Sequence, residues 1–202
     1  MIYDRTCTGL KGRGLTEVWW AGALVYGGLG RFDGWRGVAS WGEALEWLGT
    51  FTGRAGPDAR IAEVQYWGHG NWGCARIGAE SLDHASLEAG HPHRAGLLKV
   101  RERLAPEALW WFRTCDTFGA RRGHRFAVEL THLLGCDTAG HTHIIGPWQS
   151  GLHRLRPRQA PHWPEAEGLA AGTPEQPARS TWSTPFAPNT ITFLHNRVPT
   201  GW

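Results

Sequence analysis

Two apolar runs constrain this chain more than anything else in it. Ile61-Ala62-Glu63-Val64-Gln65-Tyr66-Trp67-Gly68-His69-Gly70 and Ala108-Leu109-Trp110-Trp111-Phe112-Arg113-Thr114-Cys115 are both of strand length and rich in β-branched and aromatic residues. Each stops at a reactive side chain, His69 in the first and Cys115 in the second. Helical patterns lie between and after them, so the order from Ile61 to Ile145 reads strand, helix, strand, helix, strand. That order predicts right-handed βαβ units and a mostly parallel sheet covered on both faces. Neighbouring parallel strands end at the same sheet edge, which predicts an imidazole and a thiol within reach of one cleft.

The flanking elements follow from local signals. Met1 to Cys7 predicts a first strand, Thr8 to Gly14 a glycine-rich turn, Thr16 to Tyr26 a helix and Gly34 to Ala39 a short strand. Ser40 with Glu43 three positions on is a capping box ahead of Ala44, Leu45, Trp47 and Leu48, so a helix is expected there, stopped by Gly49. Gly53 to Arg60 reads as a loop. Asn71-Trp72-Gly73 turning into Cys74 to Ile77 predicts a hairpin-like flap after His69. Leu97 to Leu104 is expected to be a surface helix ended by Pro106, after a polar stretch punctuated by Pro92. Phe126 to Leu134 predicts a helix stopped by Gly135, and Thr138 to Ile145 a strand. Residues 147–188, rich in Pro, Gly and Trp, read as one long loop region of a single domain spanning 1–202. Asn189 to His195 is expected to be a last strand at or near a sheet edge.

Composition narrows the function. The four cysteines (Cys7, Cys74, Cys115 and Cys136) form no tight pair, against a zinc ribbon or a disulfide scaffold and in favour of a reducing, cytoplasmic setting. No leader pattern opens the chain and no apolar run reaches membrane-spanning length, so neither export nor a membrane partner is expected. A net charge of +3 with dispersed arginines gives weak support for nucleic acid, and none is expected as a partner. Thirteen tryptophans exceed what core filling needs, because a buried indole N–H wants a partner, so some are expected to line a groove.

A cysteine nucleophile needs an imidazole to take its proton and backbone N–H donors for the developing oxyanion. His69 and Cys115 supply the first pairing. Gly70 lets the chain approach a substrate carbonyl, so the N–H groups of Gly70 and Cys115 are the expected oxyanion hole. The helix after Cys115 is expected to lower its thiol pKa through the helix N-terminus. His141-Thr142-His143 and His91-Pro92-His93 raise a minor alternative, a zinc set completed by Cys115 or His69, although no HExxH signature accompanies them. No cofactor is expected.

An apolar strand ending in His-Gly, followed by a second ending in Cys, resembles the caspase-like cysteine peptidases, the group that includes caspases, metacaspases, gingipains, legumain, separase and the CHAT domains. The resemblance covers Ile61 to Ile145. It implies a three-layer α/β/α sandwich with His69 as acid or base, Cys115 as nucleophile and a protein or peptide as substrate. It also implies that the loop Gly146 to His153 sets specificity, which makes Trp148, Gln149 and Ser150 substrate-binding candidates. Asp116, beside the nucleophile, is expected either to attract a basic side chain of the substrate or to cap the following helix. The chain departs from the family pattern at Thr114, where a small residue is usual, and in reaching its first glycine after the cysteine only at Gly119. The leading expectation is a cysteine endopeptidase, and the alternative is a non-catalytic interaction module of the same fold.

Overall fold

A computed structural model describes residues 1–9, 14–53, 56 and 58–202. The two apolar runs become the centre of a six-stranded sheet, as β3 (Ile61–Trp67) and β7 (Leu104–Arg113). They pair in parallel from Glu63↔Leu109 to Trp67↔Arg113. Val64 to Trp67 and Ala108 to Arg113 are buried without interruption, which is why both segments read as continuous apolar runs rather than as alternation.

The other strands extend the sheet on either side. On one flank lie β1 (Ile2–Asp4) and β2 (Arg36–Val38), and on the other β8 (Asp137–His141) and β10 (Leu152–Leu155). The order is β10-β8-β7-β3-β1-β2, with β10 antiparallel to β8 and the remaining pairs parallel. The fold is therefore α/β with a mixed, mostly parallel sheet. The chain places β1 and β2 to one side of β3 and then reverses direction, so a topological switch point falls between β1 and β3, where α/β sheets open a crevice at the strands' carboxyl ends.

Helices lie on both faces. The helices α2 (Trp41–Thr50), α3 (Pro92–Arg103) and α4 (Ala120–Leu134) bury Ala44, Leu45, Leu48, Leu97, Val100, Phe126 and Leu130 against Val64, Tyr66, Trp110 and Phe112. Burying each of the larger side chains stabilises the fold by about 1.5–3 kcal/mol. The opposite face carries α1 (Leu15–Gly28), whose Ala23 and Tyr26 pack on Tyr3 and Trp67. Close approach there requires Gly22, since a Cβ at that position would stand 2.5 Å from the Trp67 ring. Further along the same face, Leu109 and Trp111 pack with Ile191 and Val198. The Ser40 side chain accepts the Glu43 N–H at 3.0 Å, and Gly135 ends α4 in the left-handed region at φ 65°.

Several expectations need correction. Residues 147–188 are not one loop: they contain β9 (Trp148–Gln149), β10, β11 (Leu169–Gly172) and β12 (Pro177–Ser180). The sheet's antiparallel edge is β10, while Asn189 to His195 supplies only β13 (Ile191–Thr192), paired with β9 outside the main sheet. Pro92 is the first residue of α3, where its missing N–H costs nothing, and Pro106 lies inside β7 rather than ending a helix. The flap is larger than a hairpin, with β4 (His69–Asn71), β5 (Cys74–Ile77) and β6 (Glu80–Asp83) forming their own three-stranded sheet. The expected turn at Thr8 to Gly14 and the loop at Gly53 to Arg60 fall partly outside the described residues. Among the described residues no helix is long and apolar enough to cross a membrane.

The tryptophans divide. Trp41, Trp110 and Trp111 are fully buried, whereas Trp20, Trp148 and Trp182 are exposed. Trp41, Trp67 and Trp163 donate their indole N–H to Ala75 O, Gln65 Oε1 and Phe118 O. The indole nitrogens of Trp110 and Trp111 are buried and have no hydrogen-bond partner among the described residues.

Candidate functional site

The registered pair Trp67↔Arg113 ends the β3–β7 ladder, and His69 and Cys115 each lie two residues beyond it. Both leave the sheet at its carboxyl edge, His69 beside the switch point. The two backbones touch just past the ladder: a Cβ built on Gly70 would stand 2.5 Å from the Cys115 carbonyl oxygen and 2.8 Å from Thr114 Cβ, and would also strike the Thr117 hydroxyl. Only a glycine lets the chain after His69 lie this close to the chain around Cys115.

The flap's ladder bears on the oxyanion hole. Asn71↔Cys74 flanks a two-residue turn with Gly73 at φ 69°, and the pair beside such a turn is hydrogen-bonded. Antiparallel alternation then makes Gly70↔Ala75 a non-bonded pair, which turns the Gly70 N–H away from β5. The Cys115 N–H donates to no backbone carbonyl among the described residues. Both donors that the sequence offered thus stay uncommitted to the sheet.

The loop carrying Cys115 is braced on two sides. Thr117 O accepts the Gly73 N–H of the flap at 3.1 Å, while the N–H groups of Asp116 and Phe118 donate to His143 O and His141 O at 3.2 and 3.0 Å. Cys115 itself is half-buried, and its Sγ accepts the Ile145 N–H at 3.4 Å. Burial pushes its thiol up to about 11, against the lowering effect of the Ile145 N–H, and the Asp116 carboxyl pushes the same way as burial. The expected lowering by a helix N-terminus is therefore reversed: α4 begins at Ala120, and the donor that reaches the sulfur comes from beyond β8.

His69 is exposed and meets the Trp19 ring edge-on, with centroids 5.6 Å apart. Among the described residues its imidazole makes no hydrogen bond to a carboxylate, so His69 has an aromatic neighbour and no third acidic member. Sequence reasoning missed Trp19, which reads as one more apolar residue of a helix.

Asp116 does not cap α4. The N-cap is Gly119, with no side-chain cap, and its N–H goes to the Asp116 main-chain oxygen at 2.9 Å. Asp116 adopts φ 54°, a left-handed conformation that aspartate tolerates better than most residues. It is 6% exposed, and among the described residues its Oδ1 has no hydrogen-bond partner. Burial pushes its carboxyl up to about 7, partly offset by the Ser180 hydroxyl.

The specificity-loop candidates fare unequally. Trp148 is 41% exposed, as a substrate wall requires. Gln149 is buried, with Oε1 accepting two bonds from Arg113 at 3.2 and 2.9 Å. Ser150 has no exposed surface, and its hydroxyl bonds Thr184 O and the Thr190 hydroxyl. Both polar groups are thus engaged within the fold. In their neighbourhood runs a segment that sequence reasoning passed over. Ile144 bridges Trp182 in parallel, with Ile144 N–H donating to Thr181 O at 2.9 Å and Ser183 N–H to Ile144 O at 2.8 Å. That pattern turns the N–H and C=O of Trp182 away from Ile144, and among the described residues neither has a hydrogen-bond partner. The result is an open main-chain edge one strand from Ile145, the residue bonded to the Cys115 sulfur.

The histidine pairs do other work. His91 Nδ1 accepts the His93 N–H at 3.1 Å as the N-cap of α3. His141 Nδ1 bonds Ser150 O at 3.1 Å, and burial pushes this imidazole down to about 3, so it is neutral. His143 Nδ1 lies 2.9 Å from the Thr142 hydroxyl, which donates to Glu167 Oε1 at 2.8 Å, and His153 Nε2 lies 2.6 Å from the same oxygen. Among the described residues no group of three or more His, Cys, Asp or Glu side chains is placed to hold a metal ion. No protein-family model matches this chain, and no curated protein sequence and no solved structure matches it either.

Proposed function

We propose that the chain is a caspase-like cysteine hydrolase, an endopeptidase that cleaves a protein substrate with Cys115 as nucleophile and His69 as acid and base. The observation that carries this reading is the contact of Gly70 with the Cys115 main chain, which joins the two strand ends at the carboxyl edge of the sheet. The sheet's order and the helices on both faces agree with the sandwich that the resemblance implies.

With the thiol pushed up to about 11, the resting site holds a protonated sulfur at neutral pH. His69 therefore acts as a general base during attack: it takes the thiol proton as the sulfur bonds to the scissile carbonyl carbon. The oxyanion rests on the N–H groups of Gly70 and Cys115. The C–N bond then breaks as His69 returns the proton to the leaving amine. Water, deprotonated by His69, attacks the thioester to release the acid and restore the thiol. The open edge of Trp182 suits an extended peptide adding as a strand, which favours a protein substrate over a small ester.

A peptidyl acyloxymethyl ketone tests the pairing. One equivalent is expected to label Cys115 and no other cysteine, at least about 10²-fold more slowly in His69→Ala. Equal labelling of Cys7, Cys74 and Cys115 contradicts the reading. A non-catalytic interaction module remains the second reading, favoured by the exposed outer face of α1, where Val18, Leu24 and Val25 face solvent, with Leu29 just past its end.

A further inference from the structure

We infer that the groove between α4 and the turn after β10 is a binding site for an amphiphilic anion, an acyl or aryl body carrying one carboxylate or phosphate head. The inference rests on a strained arginine and on the charge and lining of the groove, and it needs no assumption about the reaction at Cys115.

The arginine is Arg158. Gln159 N–H donates to Arg156 O at 3.1 Å and closes a four-residue turn, in which Pro157 stands second and Arg158 third. Arg158 adopts φ 68°, in the left-handed region. The third place of a proline-led turn with positive φ belongs to glycine or asparagine, because a larger side chain there crowds its own backbone. The turn itself therefore does not call for an arginine. Among the described residues the Arg158 guanidinium enters no hydrogen bond or ion pair, so no contact within the fold offsets the strain. Strain kept at an unpartnered charged side chain points outward, to a ligand.

Arg158 lines a cavity of about 510 Å³, a volume within the range of small-molecule sites. Part of the lining is apolar: Leu87, Val128 and Leu133 contribute to it, and Val128 is 38% exposed although it lies within α4. Arg94, Arg156 and Arg158 supply the cations. Two carboxylates also line the groove, Glu88 and Glu129, and both are engaged. His84 stands between them, 3.2 Å from Glu88 and bonded to Glu129, and Arg125 donates to Glu129 at 3.0 Å. The lining arginines are held more loosely. Arg94 gives one N–H to Leu87 O, and Arg156 reaches Asp137 only at 3.9 Å, a carboxylate that Arg154 already holds. A guanidinium carries five donors, and a carboxylate or phosphate takes them two at a time. Spare donors of one sign beside uncovered apolar side chains suit an anion with an apolar body.

The groove is separate from the proposed dyad. Leu155 pairs with Thr138 near the start of β8, so the turn from Arg156 to Gln159 follows at the amino edge of the sheet. Cys115 leaves β7 at the opposite, carboxyl edge.

Calorimetric titration of the whole chain with octanoate, octyl phosphate and octyltrimethylammonium tests the site. At least one of the two anions is expected to bind with a Kd below about 1 mM, and the cation at least about tenfold more weakly. Whichever anion binds more tightly identifies the head group. Arg158→Gly is expected to weaken anion binding at least about tenfold while the Tm of the free protein stays level or rises, because glycine suits the turn. Binding of neither anion, equal affinity for the cation, or unchanged anion affinity in Arg158→Gly overturns the inference. A lowered Tm in Arg158→Gly also overturns it, by giving Arg158 a part in the fold instead.

Discussion

Gly70 lies so close to Cys115 that a Cβ on it would stand 2.5 Å from the Cys115 carbonyl oxygen. Gly70→Ala must therefore push the flap away from the nucleophile loop, since the opposing atoms include backbone and cannot simply rotate aside. A displacement of this kind costs about 10² in rate when it separates reacting groups. The expected outcome is a fall in kcat/KM of about 10²-fold in peptide hydrolysis, with circular dichroism unchanged; unaltered kinetics would show that the contact has no part in the site.

Alkylation reports the state of the sulfur. Because burial holds the Cys115 thiol at about 11, its reaction with iodoacetamide in the free protein is expected to accelerate about tenfold per pH unit between pH 7 and 10. A rate already level at pH 7, followed by mass spectrometry of the Cys115 peptide, would show a resting thiolate instead.

Asp116 ties stability to pH. Its carboxyl sits at about 7 in the fold against an ordinary value of 3.8, so between these values the native state keeps a proton that the unfolded chain has lost. Stability contributed by this group is present below pH 4 and is lost as pH rises toward 7. Urea unfolding of wild type and Asp116→Asn is expected to diverge across that window, with the asparagine variant gaining relative stability by a few kcal/mol as pH rises. A constant difference from pH 4 to 8 would refute the burial account.

Arg113 is a buried cation that, among the described residues, bonds no carboxylate. Its guanidinium lies over Trp67 and Trp111 at 4.8 and 4.6 Å and donates to Gln149 Oε1, Phe193 O and His195 O. Arg113→Met strands these acceptors, at a cost of about 3 kcal/mol or more in unfolding free energy. Limited proteolysis is expected to cut near Phe193 first. A loss below about 1 kcal/mol would mean that the segment holds without the clamp.

The central strands were legible because burial on both faces writes a continuous apolar run, and the helix after Ser40 because its cap is a local pairing of residues three apart. What escaped reading depends on distant partners. In β10, Leu152-His153-Arg154-Leu155 interrupts its apolar residues with two polar ones, and its pairing with β8, with Glu167 beside His153 and Asp137 beside Arg154, comes from partners that no local pattern shows. Gln149 read as a substrate ligand because nothing local shows that Arg113, 36 residues away, occupies it. Trp182 lay in a proline-rich stretch, and its significance comes from a single bridge to Ile144. His69, Gly70, Cys115 and Asp116 were legible as residues. The raised Cys115 thiol was not, because it follows from packing that no strand pattern records.

Amine release from an acetylated tetrapeptide coumarin amide ending in arginine, followed with wild type, Cys115→Ala and His69→Ala, tests the dyad most directly. Repeated turnover is expected from wild type, none from Cys115→Ala, and a rate reduced at least about 10²-fold in His69→Ala. Release at the wild-type rate by Cys115→Ala, or none from wild type with arginine, citrulline or aspartate peptides, would contradict a cysteine hydrolase.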